Sequence, residues 1–226
     1  MTQMKKILAI ILALASVFAM FSCGGDGIEE QVEAVKTMYS VSTPTKIATT
    51  TTNTIGNTVL DGTYTLITGK IDGKLATVMQ FEYEEFATVD EGKGEIITGA
   101  VKTVSGSREF HEDRGVRENG GKWEEGFNFA PSAGDIALNL DLENLTEVKY
   151  ENNTLSFIIP ADKTAAVLGE ENAIEADVAV SIVNDGAVIT GITMNYTLEA
   201  EGDYPETVVV VTTSYEYDIQ EVTLVK

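Results

Sequence analysis

The chain has 226 residues and carries 36 Asp and Glu against 15 Lys and Arg, for a formal net charge of −21 at pH 7. A surface this acidic is repelled by nucleic-acid phosphate and by anionic lipid head groups, which argues against DNA, RNA or electrostatic membrane docking as functions. A single cysteine excludes a disulfide framework, yet the length suffices for one stable hydrophobic core without one.

The N-terminus is charge followed by oil. Lys5 and Lys6 precede the run from Ile7 to Phe21, apolar apart from Ser16. At ~1.5 Å per helical residue this run spans about 22 Å, short of the ~30 Å hydrocarbon core, so it suits a signal h-region better than a membrane span. Met20-Phe21-Ser22-Cys23 follows, then the flexible Gly24-Gly25-Asp26-Gly27. This sequence resembles a bacterial lipobox. The resemblance implies that residues 1–22 are removed and that Cys23 carries acyl chains such as palmitate, with 23–27 as a linker. The expected location is the bacterial cell envelope, on the extracytoplasmic face, with the membrane as partner through Cys23. Two or more acyl chains give the stable anchoring that one chain does not.

From Asp26 the chain reads as a helix start, with Glu29 completing a capping box. Ile28, Val32, Val35 and Met38 or Tyr39 then share one face, predicting an amphipathic helix over 28–40 that Pro44 closes. Beyond Pro44 the period turns to two. Thr49 to Thr52 is read as sheet, and Asp72-Gly73 as a tight turn between strands at 62–71 and 74–86. In the second of these, Leu75, Met79, Phe81 and Tyr83 oppose Gln80, Glu82 and Glu84. Ile136, Leu138, Leu140 and Leu142 alternate as a strand would, although leucine also suits a helix. Leu155, Phe157 and Ile159 predict a strand, and Pro160 to Leu168, ended by Gly169, a short helix. Strands are expected at 177–183 and 187–199, joined by a turn at Asn184-Asp185-Gly186. A last strand carries Val209, Val211, Tyr215, Tyr217 and Ile219 on one face.

Catalytic and metal chemistry find no support in these residues, and no cofactor is implied. His111, the one histidine, lies in Arg108-Glu-Phe-His-Glu-Asp-Arg114 with no nucleophile elbow elsewhere, and is expected to be solvated. Zinc lacks ligands, and no calcium loop is present; Asp141, Glu143 and Asn144 read as a polar strand end. Glu82 and Glu84 have the spacing of alternate residues on one strand face, which explains them without glycosidase chemistry. Trp123, in Gly120-Gly-Lys-Trp-Glu-Glu-Gly126, is either an exposed ligand platform or a hairpin residue folded over the core.

The expected fold is mainly β in the α+β class. A single domain over 28–226 would form a curved antiparallel meander, or half-barrel, with one or two short helices; a β-sandwich is the alternative. Several strands present apolar faces, and the few helices cannot cover them all. The lipobox, a leading helix ending near Pro44, and a meander with a helix inserted at about 161–168 together resemble the LolA-like superfamily of lipoprotein carriers. That resemblance implies a lipid or other hydrophobic ligand in the concave face of the sheet. The large inward side chains Met79, Phe81, Tyr83, Met194, Tyr196, Tyr215 and Tyr217 are the candidate ligand contacts. A non-enzymatic surface-binding or adhesion module, and a hydrolase with a polar pocket at His111, are the rival readings.

Overall fold

The computed structural model describes residues 27–41, 43–90, 95–132, 136–200 and 205–224. The proposed signal, Cys23 and the Asp26 cap lie outside the described residues. Among the described residues two short α-helices, α1 (Ile28–Val41) and α2 (Thr164–Leu168), accompany ten strands. These are β1 (Lys46–Ile55), β2 (Thr58–Ile71), β3 (Lys74–Asp90), β4 (Glu95–His111), β5 (Gly115–Glu118), β6 (Thr146–Glu151), β7 (Thr154–Ile159), β8 (Val178–Asn184), β9 (Ile189–Leu198) and β10 (Thr207–Glu216). They form one antiparallel sheet in the order β5-β4-β3-β2-β1-β10-β9-β8-β7-β6, open at β5 and β6. The mainly β, antiparallel class expected from the period-two pattern is therefore observed, as one continuous sheet and not as the two sheets of a sandwich.

Contacts group the chain into two compact units: Met1–Thr43 with Ser132–Met194, and Pro44–Pro131 with Asn195–Lys226. In the first unit, α1 turns Val32, Val35, Met38 and Tyr39 inward, the face its sequence spacing predicts, and packs on β6 and β7. Glu29 and Glu30 in its first turn complement the helix dipole. Beneath it, Leu155, Phe157 and Ile159 of β7 pair in register with Ile182, Val180 and Val178 of β8. All six are buried, and each contributes about 1.5–3 kcal/mol by leaving water. The Thr164 hydroxyl, fully enclosed, accepts the Ile174 N–H at 3.0 Å and reaches the Ile174 carbonyl at 2.8 Å, which pins α2 to the following loop.

Residues 137–141 form neither strand nor helix. The leucine alternation there is met by one fully buried side chain, Leu140, while the Asn139 backbone and side chain bond the carbonyls of α2. Asp141 is not a strand end: it opens a 3-10 turn over Leu142–Asn144 and pairs with Lys36 of α1 at 3.1 Å. The last strand stops at Glu216, earlier than its alternation implies, so Tyr217 and Ile219 lie beyond β10.

In the second unit, Asp72 and Gly73 both have positive φ, 53° and 80°, the signature of a type I′ hairpin turn. The strands it joins are longer than expected, 14 residues for β2 and 17 for β3. β4 was not legible as a strand, because arginine, glutamate and glycine break its apolar period. Main-chain bonds nevertheless hold it along β3, with the register shifting between Phe86 and Thr88.

Candidate functional site

Residues paired across an antiparallel ladder share a face, so register alone assembles one side of the second unit's sheet. Tyr215, Ile47, Leu66 and Met79 form a first row. Thr213, Thr49, Tyr64, Phe81 and Gly106 form a second, and Val211, Thr51, Gly62, Tyr83 and Val104 a third. The first row is closed: Ile47, Leu66 and Tyr215 are buried. Burial pushes the Tyr215 phenol up to about 12, helped by neighbouring Tyr217. The second row is intermediate. Thr49 and Thr213 bond to each other at 3.0 Å, and burial raises the Tyr64 phenol above its ordinary value. In the third row Tyr83 is 40% exposed, while Thr51, Gly62, Val104 and Val211 are half-buried.

The opening has a backbone cause. The β2–β3 ladder ends at the pair Gly62–Tyr83, whereas β2 stays paired to β1 as far as Thr58 and β3 to β4 beyond Glu84. The two strands part there, and the Glu84 carboxylate accepts the Asp61 N–H at 3.1 Å in place of a strand carbonyl. A depression of about 290 Å³ lies at this fork, lined by Thr49, Thr51, Asn53, Gly62, Tyr64 and Tyr83. That volume is at the small end of ligand pockets. Phe81 and Tyr83 stack beside it, centroids 6.1 Å apart and planes 28° from parallel. The Phe81 ring packs against Gly106, where a Cβ would lie 2.5 Å from it.

A larger depression, about 480 Å³, is lined by Lys70, Asp72, Gly73 and Gln220 to Val222. It lies at the hairpin turn, ten residues along β2 from Gly62, or roughly 30 Å at ~3.3 Å per residue. Its walls are main chain already engaged: Lys70 N–H bonds the Gln220 carbonyl and Val222 N–H the Lys70 carbonyl. No described aromatic side chain lines it, so the smaller depression is the better candidate.

Of the seven sequence candidates, Met79, Phe81, Tyr83 and Tyr215 share this face. Tyr196 is half-buried on β9 in the same unit, with its phenol raised by burial. Tyr217 is half-buried just past β10, and Met194 closes the first unit. Thr49, Thr51, Asn53, Gly62 and Tyr64 were not singled out. The signal was there in the alternation of the threonine run, which places Thr49, Thr51 and Asn53 on one side.

His111 departs most from expectation. It is not solvated: it is 3% exposed, its Nδ1 accepts the Asp113 N–H at 3.2 Å, and its ring meets Trp123 edge-on at 6.2 Å. Glu109, on the same side of β4, is fully buried and paired with Arg117 of β5. The Arg117 guanidinium lies 4.8 Å from the Trp123 ring centroid, and that of Arg114 5.8 Å. Trp123 is thus folded over the protein. The segment carrying it is fixed by reciprocal main-chain bonds between Val116 and Glu124 at 2.9 and 2.8 Å. Gly115 is required there, since a Cβ would lie 2.0 Å from the Glu124 carbonyl. Glu82 alternates with Phe81 and Tyr83 along β3, whereas Glu84 lies at the fork with its carboxylate on the Asp61 N–H. Among the described residues no cluster of three or more metal-ligating side chains occurs, and no helix is long and apolar enough to cross a membrane.

No protein-family model matches the sequence, and no curated protein matches it. Among solved structures the chain is similar to a DUF1329 family protein from Desulfovibrio piger, at 9% identity and a TM-score of 0.28, over 88% of this chain and 96% of that one. It is also similar to the S-type phycobiliprotein lyase CPES from Guillardia theta, at 8% identity and a TM-score of 0.28, over 85% of this chain and 94% of the other. Likenesses at this score carry no weight for function, which has to be argued from the site.

Proposed function

We propose that this protein is a binding module that holds a small hydrophobic or amphipathic ligand, a lipid chain included, on the open sheet face around Tyr83. One observation carries the reading: a stacked aromatic pair, with Tyr83 40% exposed, borders a preformed depression where the β2–β3 ladder ends. Apolar area left in water costs about 25 cal/mol per Å², so a ligand covering Phe81, Tyr83 and Tyr64 gains by association. The rival readings find less support. Trp123 is spent on Arg117 and His111 and offers no free platform. The same ring covers His111, where a hydrolase would need a polar cleft.

Native mass spectrometry after incubation with bacterial lipid extract tests the proposal. Wild-type protein is expected to retain an adduct that Tyr83→Ala and Gly62→Val lose while unfolding at nearly the wild-type temperature. Apo mass alone for wild type would refute it. The proposal extends to a cell-envelope location with an acyl anchor on Cys23, supported by the order of charge, short apolar run and cysteine. Cys23→Ala should move the protein out of the detergent phase or block its processing; equal partitioning of a cleaved Cys23→Ala protein would rule the anchor out.

A further inference from the structure

We infer that the depression at Gly62 receives a neutral, polyhydroxylated ring, the sugar portion of a glycosylated ligand, an inference that rests on the reading of this face as a ligand surface. Three features of the lining carry it. First, Thr51, Asn53, Tyr64 and Tyr83 make no side-chain hydrogen bond to another described residue, although the neighbouring Thr49 and Thr213 satisfy each other. A hydroxyl or carboxamide both donates and accepts, and so does each hydroxyl of a sugar. A purely apolar occupant would cover these groups and leave them unpaired, which costs affinity.

Second, the charge is wrong for an anionic head group. No described lysine or arginine lines the depression, while Asp61 and Glu84 form part of its lining. Both carboxylates already have partners: Asp61 accepts from the Thr52 hydroxyl at 2.7 Å and Glu84 from the Asp61 N–H at 3.1 Å. They repel phosphate, sulfate or carboxylate without being free to capture a cation. Third, Tyr64 and Tyr83 line the depression with aromatic rings, against which the C–H face of a six-membered ring packs, and about 290 Å³ holds one such ring with its substituents. The ladder break supplies the shape, the threonine alternation the hydrogen bonds, and Tyr64 and Tyr83 the apolar wall.

The test compares two ligands with the same tail, octyl glucoside and octyl sulfate, each titrated below its micelle concentration into the full-length chain. The readout is the NMR signals of Thr51, Asn53, Tyr64 and Tyr83. Octyl glucoside is expected to shift all four and to bind at least about tenfold more tightly than octyl sulfate, a difference of about 1.4 kcal/mol. A Thr51→Val, Tyr64→Phe double variant should weaken octyl glucoside about tenfold. Octyl sulfate binding as tightly as octyl glucoside, or a double variant with unchanged glucoside affinity, would overturn the sugar assignment while leaving a surface for the tail. Shifts from neither ligand would overturn that surface as well. The wild-type comparison stands by itself should the double variant fold poorly.

Discussion

The two units use the same strand chemistry to opposite ends. In the first, every inward residue of β7 and β8 meets a partner, and α1 lies over β6 and β7 with four buried side chains. In the second, the face that runs from the buried Tyr215, Ile47 and Leu66 opens at Tyr83 two rows on, between them and the buried Leu60 and Val209 of the following row, and no described helix belongs to that unit. A closed face is stabilised by the full transfer of its side chains from water, so its residues report on folding. An open face keeps large side chains where they add little to folding, and its residues should report on binding.

Substitutions can break this contrast. Phe157→Ala, in the closed core, should cost about 3–5 kcal/mol in denaturant unfolding; a loss below 1 kcal/mol would mean that the first unit is not packed as described. Glu109→Ala should cost about 3 kcal/mol, because it removes the buried carboxylate that pairs with Arg117. The same melts should show Trp123 fluorescence moving toward that of solvent-exposed indole.

Tyr215 supplies a pH test. Its phenol is raised to about 12 in the folded state against ~10 when unfolded, so the fold favours the protonated form. That contribution is whole below about pH 10 and is lost as pH rises from about 10 to 12, by about 2 kcal/mol. Tyr215→Phe should flatten this part of the stability–pH curve; Tyr64 and Tyr196, raised in the same direction, keep a remainder. An unchanged slope would contradict the buried placement of Tyr215. Smallest of all, Tyr83→Ala should alter stability by less than about 1 kcal/mol, as Tyr83 is 40% exposed and stands where the β2–β3 ladder ends. A cost like that of Phe157→Ala would make Tyr83 a core residue and close the face.

How much of this was legible in the sequence follows from what each element depends on. α1, β7 and β8 are specified locally: one apolar face each, at period 3.6 or 2, matches what is buried. The candidate Met79, Phe81 and Tyr83 fell on one face for the same reason. The fork at Gly62 was not legible, because it depends on where one ladder stops while its neighbours continue, a property of three strands together. His111 was misread because its immediate neighbours are charged. Its burial comes from Trp123, twelve residues later, brought over it by a turn and by Gly115. The leucines at 138 to 142 misled in the other direction, since only Leu140 found a core position.

The most direct test of the open face is solvent access to its side chains, measured by NMR attenuation from a neutral soluble nitroxide. The Tyr64, Phe81 and Tyr83 signals should be strongly attenuated, those of Leu155 and Phe157 spared, and attenuation at Tyr83 relieved once ligand from a lipid extract is bound. Protection of Tyr83 and Phe81 equal to that of Phe157 in the ligand-free protein would contradict the account, because the face would then be a closed core.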